Sequence, residues 1–182
     1  MRVVGGRAAV PDLDDFLADL GAVGDEFDCA VQAFDADYVL GRDHLRAAVE
    51  RADRAFERGE NVARERPVEI LLYAAGRRQI NRALRMGVAE GESDVVVVVH
   101  SPAGDAAAER AAAEKVCDLL GGGASSSGPA DAEADPDQLA ADRIDREAVA
   151  TFFDVSEAEL AATDATLADL VRERVALLDV EK

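Results

Sequence analysis

The sequence has no tryptophan, only two cysteines, two histidines and two lysines among its 182 residues, and each shortage closes off a class of protein. Cys29 and Cys117 stand in apolar runs without CxxC spacing, so buried free thiols are expected rather than a disulfide framework or a zinc site. His44 and His100 form no HxxxH or HxE pattern and read as structural residues. No metal and no cofactor is expected. No run approaches the roughly 18 apolar residues of a membrane span, and Met1-Arg2-Val3-Val4-Gly5-Gly6 lacks the apolar core of a secretory signal; the expected location is the cytoplasm, with no membrane partner. Also missing are GxxxxGK[ST], GxSxG and a GxGxxG set between a strand and a helix. Carboxylates are so numerous that no pair stands out as acid and base, and no enzyme activity is expected of the chain itself.

Positive charge is the other shortage. Against 38 acids stand 20 bases, a net charge of -18, and only Lys115 and Lys182 among the bases are not arginine. Such a balance repels a phosphate backbone over the whole approach. Many carboxylates with few lysines also keep a protein soluble in molar salt, and the acidity is read here as adaptation to a high-salt cytoplasm. The bases are unevenly spread. Arg42 to Arg85 hold 11 arginines against 7 acids, a net of +4, which leaves -22 for the remainder. Between Glu69 and Glu90 there is no acid at all, while Arg77, Arg78, Arg82 and Arg85 fall inside.

The length fits one domain, and the pattern gives it an α/β (α+β) class: a mixed β-sheet packed with several helices and a helical C-terminus. Arg2 to Val10 reads as a strand. Pro11-Asp12 opens an amphipathic helix that Gly21 is expected to end, and Asp28 to Phe34 reads as a second strand. A helix follows over Asp43 to Arg58 with Gly59 as its stop. Pro67 suits the first turn of a short helix over Val68 to Ala75, and Gly76 the left-handed residue that closes it. A second short helix is expected over Arg77 to Met86, then a strand over Asp94 to His100 whose unbroken β-branched run marks it as buried on both faces. After a helix over Asp105 to Leu120, residues 121–137 (GGGASSSGPADAEADPD) read as a flexible insertion. The rest reads as helices, Gln138 to Phe153 and a pair after the caps Ser156 and Thr163.

The segment Glu69 to Gly87 thus reads as a helical hairpin. Ile80, Ala83 and Leu84 share one face of its second helix, and Arg78, Arg82 and Arg85 form a stripe on another. At the start of that helix the N–H groups of Arg77, Arg78 and Gln79 would stand beside two guanidinium groups, an arrangement suited to a phosphate. Tyr73, one turn earlier, would offer a ring to an unpaired base. Pairing of these arginines with the protein's own carboxylates is an equally good account of the segment taken alone.

Val31-Gln-Ala-Phe-Asp35, Gly41-Arg-Asp-His44, Glu69-Ile-Leu-Leu-Tyr-Ala-Ala-Gly-Arg-Arg-Gln-Ile80 and Glu173-Arg-Val-Ala-Leu-Leu178 together resemble the PRPK-binding protein (TPRKB) family, the small subunit of the KEOPS complex that attaches to its atypical kinase. The resemblance covers nearly the whole chain except the insertion. It implies a non-catalytic role in making threonylcarbamoyladenosine next to the anticodon of tRNA, direct contact with the kinase, and indirect contact with the other KEOPS subunits. In archaeal members it further implies recognition of the single-stranded tRNA 3′ CCA end. Matched by motif position, Tyr73, Gly76, Arg77, Arg78 and Gln79 would lie at that RNA site, with Asn61 and His44 as neighbours and Arg82 added from the stripe. In the last helix Leu167, Leu170, Val171, Val175, Leu177 and Leu178 cover an arc of roughly 160°, wider than the approximately 100° that core packing needs. Part of that arc is expected to face the kinase, through Leu167, Leu170, Val171, Arg174, Leu177 and Leu178; the alternative is a helix simply well buried in its own domain. The alternative reading is a small-molecule enzyme or regulatory domain that holds a phosphorylated metabolite at the Arg77/Arg78 helix N-terminus.

Overall fold

Val95 to Val99 form the middle of a three-stranded sheet and are fully enclosed, as an unbroken β-branched run predicts. The computed structural model describes residues 1–121 and 146–178. Its strands are β1 (Arg2–Val10), β2 (Ala30–Asp35) and β3 (Gly91–His100), in the order β1-β3-β2. Its helices are α1 (Leu13–Phe27), α2 (Arg42–Arg58), α3 (Arg66–Ala74), α4 (Ile80–Ala83), α5 (Ala106–Gly121), α6 (Arg146–Phe152), α7 (Glu157–Ala161) and α8 (Leu167–Leu177). Both ladders are antiparallel, with Val97 opposite Val4 on one side and Ala33 on the other. β1 and β2 therefore run the same way without touching, because β3 lies between them. The α+β class is the one adopted, and the mixed pairing expected of the sheet resolves into antiparallel ladders only among the described residues.

Successive side chains of a strand point to opposite faces, and the two faces of the sheet bury different partners. Val95, Val97 and Val99 pack with Val4, Val10 and Val31 beneath α1 and α5. Val96 and Val98 pack with Val3, Ala30 and Phe34 beneath α2, α3 and the C-terminal helices. α8 in turn lies against α2.

Some boundaries differ from expectation. α1 runs through Gly21 to Phe27, and Asp28, in the left-handed region at φ 51, closes it. Leu20 and Val23 continue the buried face across the glycine, and a mid-helix glycine costs only about 1 kcal/mol, too little to stop a helix that gains that burial. α8 is capped by Thr166, whose hydroxyl and the Asp169 carboxylate form a reciprocal capping box, not by Thr163. Gly59 and Ser156 cap where expected. Residues 122–145 lie outside the described residues, and with them all but Gly121 of the expected insertion and the first part of the helix expected from Gln138.

Candidate functional site at the turn after α3

Pro67 occupies the first turn of α3, and Ile70 to Ala74 are buried along its length. Gly76 takes φ +58, where a β-carbon is disfavoured; one built there would stand 3.5 Å from Cβ of Arg174. That close approach sets the turn against α8. The Arg77 N–H donates to the Leu72 carbonyl at 3.0 Å and closes the end of α3.

The expected helix over Arg77 to Met86 is not formed. The chain is non-helical through Gln79, makes the four residues of α4, and passes into a 3₁₀ turn over Leu84–Met86. Only Ala83 and Met86 are buried there, while Ile80 and Leu84 are exposed, so little apolar burial supports a longer helix. The expected row of free N–H groups loses its first member, since the Arg77 N–H is already bonded.

The four arginines of the segment, Arg77 and the three of the stripe, divide into two pairs. The Arg77 guanidinium donates to the Phe152 carbonyl, pairs with Asp154 at 2.7 Å and lies 5.9 Å from the Phe152 ring centroid. Arg78 Nη2 donates to the Leu178 carbonyl at 2.6 Å. These two side chains tie the turn to the ends of α6 and α8, contacts 75 and 100 residues apart in sequence. Arg82 and Arg85 are exposed and have no acidic partner among the described residues; Arg85 lies 5.8 Å from the Phe152 ring centroid. Arg77, Arg82 and Arg85 border a small cleft with Thr151 and Phe152, about 40 Å³ in volume. That is room for a water or one oxygen-rich group and no more.

The remaining expected RNA-site residues fall in different places. Gln79 is exposed on the turn. Tyr73 is 4% exposed, so its ring faces the core and presents no stacking surface. His44 is fully buried beneath the turn: Leu40 N–H donates to Nδ1 at 3.2 Å, and Nε2 lies 2.8 Å from the Ala74 carbonyl. That pattern requires the neutral tautomer with its proton on Nε2. Burial lowers the His44 pKa to about 4, with the Ala74 carbonyl opposing the shift and Arg172 adding to it. Asn61 sits in the loop before α3 and donates to the Ala63 carbonyl at 2.9 Å; no described contact brings it to the turn.

In α8 and at its C-cap, Leu167, Leu170, Val171 and Leu178 are buried in the protein's own core, with Val175 beside them. Most of the wide apolar arc is thus consumed by packing within the chain. Leu177 alone of the six expected kinase-facing residues is an exposed apolar side chain, and Arg174 pairs with Glu159 at 2.6 Å.

Residues to which the sequence assigns no role of their own do much of the shaping. The buried Glu69 carboxylate accepts the Val62 and Ala63 N–H groups at 3.0 and 2.7 Å and folds the preceding loop onto α3. An acid opening the run Ile-Leu-Leu-Tyr-Ala-Ala is a usable signal for this. Nothing local marks Phe152 or Asp154 as partners of Arg77.

The turn, its two arginine ties and α8 all lie within residues 13–179, over which the chain matches the family described as Kinase binding protein CGI-121. The chain belongs to the CGI-121 family. The match takes in every described helix and two of the three strands, leaving out β1. No curated protein matches the chain.

Proposed function

We propose that this CGI-121 family member is a kinase-binding accessory subunit of a KEOPS-type complex, working in a high-salt cytoplasm and supporting threonylcarbamoyladenosine formation on tRNA without chemistry of its own. The family match over residues 13–179 carries the kinase part of this reading. The exposed apolar side chains at the end where α8 meets the turn, Leu177, Ile80 and Leu84, are the ones free to reach a partner. The RNA part rests on the turn. Arg82 and Arg85 have no acidic partner among the described residues, in a stretch without acid, and Gln79 is exposed beside them. These three would touch the unpaired tRNA 3′ end while Arg77 and Arg78 hold the turn in shape. In molar salt the screening length is about 3 Å, so affinity would come from hydrogen bonds and guanidinium stacking on bases more than from counterion release.

One experiment separates the parts. The wild-type chain is expected to co-purify with the kinase and to bind intact tRNA better than tRNA trimmed of its CCA. Leu84→Arg with Leu177→Arg should lose the kinase while remaining folded, and Arg82→Ala should weaken tRNA binding by about 1 to 3 kcal/mol. Indifference to trimming overturns the RNA part, and retention of the kinase by the folded double variant overturns the proposed kinase face. The phosphorylated-metabolite reading is less well supported, because the helix after the turn begins only at Ile80, with Gln79 as its N-cap, and is four residues long.

A further inference from the structure

The sheet is open along β2, one of its two edge strands. Every second residue of an antiparallel strand turns its N–H and C=O away from its ladder partner. No described backbone group outside the strand pairs with that outer edge; Gln32 folds its own carboxamide onto the Ala33 carbonyl at 2.7 Å. Such an edge is a template for another strand unless it is covered. Here it forms the floor of a groove of about 560 Å³, with α1 as one wall and the start of α3, around Pro67 and Val68, as the other.

Two features of the groove are unexplained by the fold. Gly21 lies on the α1 wall in mid-helix, where glycine costs about 1 kcal/mol relative to alanine, yet a β-carbon there would meet nothing within 4 Å. Gly24 is different: its β-carbon would stand 2.8 Å from the Cys29 carbonyl oxygen, so packing fixes it. Packing does not fix Gly21, and its missing side chain keeps the wall low. The second feature is charge. From Ala8 to Gly41 the chain carries nine acids and no base. Asp25, Asp28 and Glu65 stand at the rim, the C-terminal carbonyls of α1 add partial negative charge, and the one lining arginine, Arg66, is held by Asp53.

We propose that β2 takes an extended, basic polypeptide segment as an added strand, its backbone on the free edge, alternate apolar side chains in the groove, and Arg or Lys side chains on the acidic rim. A second copy of this chain is a poor occupant, since β2 against β2 would bring two acidic rims together. The groove is a separate surface from the turn. It meets the N-terminal end of α3 and the turn follows the C-terminal end, nine residues or about 13 Å along the helix. The proposal therefore does not rest on the kinase or tRNA reading.

The probe is a labelled ten-residue peptide of alternating Val and Arg, compared with one of alternating Val and Glu, each titrated against the full chain. The arginine peptide is expected to bind and to slow amide exchange in β2. Gly21→Leu, whose β-carbon meets no atom within 4 Å, should leave the melting temperature at or above wild type and weaken the peptide at least tenfold. Leu17→Arg, at an exposed groove position, should do the same by charge. Equal binding of the two peptides, unchanged binding by both folded variants, or exchange protection away from β2 each overturns the proposal. So does β2 protection that arises without peptide in a concentration-dependent dimer, which would make a second copy the occupant.

Discussion

His44 is a residue whose burial writes a pH dependence into the fold. Both ring nitrogens are bonded, one to an N–H and one to a carbonyl, so a second proton would break the Leu40 bond and place a charge in the core. The folded pKa is depressed from 6.5 to about 4. Above pH 6.5 both folded and unfolded states hold the ring neutral; as pH falls below 6.5 the unfolded state takes up a proton that the folded state refuses, so stability is lost progressively down to about pH 4. Wild type should therefore lose about 2 kcal/mol more than His44→Gln between pH 7 and pH 5. Urea unfolding at the two pH values reads this directly. Equal losses in the two proteins would mean that the ring is not held neutral.

At the scale of elements, the turn acts as a clamp more than as a helix terminus. Arg78 reaches the last described carbonyl of the C-terminal segment, Leu178, and Arg77 reaches the end of α6. Removing a charged donor from a partly buried carbonyl costs about 1 to 3 kcal/mol, whereas removing an exposed arginine side chain that holds no carboxylate changes stability by less than about 0.5 kcal/mol. Arg78→Ala should accordingly lower the denaturant midpoint and raise amide exchange in α8, and Arg82→Ala should do neither. Any loss of tRNA affinity in Arg78→Ala then has to be compared with that of Arg82→Ala before it is ascribed to contact.

The same contrast explains what the sequence discloses. β1, α2, α3 and the valine strand are legible because their periodicity, caps and glycines are local signals; Gly76 is where left-handed backbone is expected, and it has φ +58. The partition of the four arginines is not legible. It depends on Phe152, Asp154 and Leu178, which only the tertiary fold brings to the turn. For the same reason the apolar arc of α8 imitates a partner surface in the sequence: its width reflects contact with α2, the turn and the shared core at once. Tyr73 belongs to this class, aromatic in a basic stretch yet directed inward.

For the whole molecule, the net charge of -18 outweighs any single contact. Acids outnumber bases 38 to 20, and the described ion pairs concentrate on arginine ties such as Arg77 to Asp154 and Arg174 to Glu159. Self-repulsion of the remaining carboxylates is larger in the folded state than in the expanded unfolded chain, and it reaches across the surface when the Debye length is about 10 Å. At molar salt that length falls to about 3 Å and only contacting pairs survive. Raising KCl from 0.1 to 2 M should therefore stabilise the fold, on the order of 2 kcal/mol, or roughly 4 to 8 °C in melting temperature for a chain of this size. Most of the gain should come below about 0.5 M, where screening changes fastest with concentration. Thermal unfolding across a KCl series checks both statements. A flat profile, or a melting temperature that falls with salt, would show that the acidic surface is not a source of strain and would remove the high-salt reading of the composition.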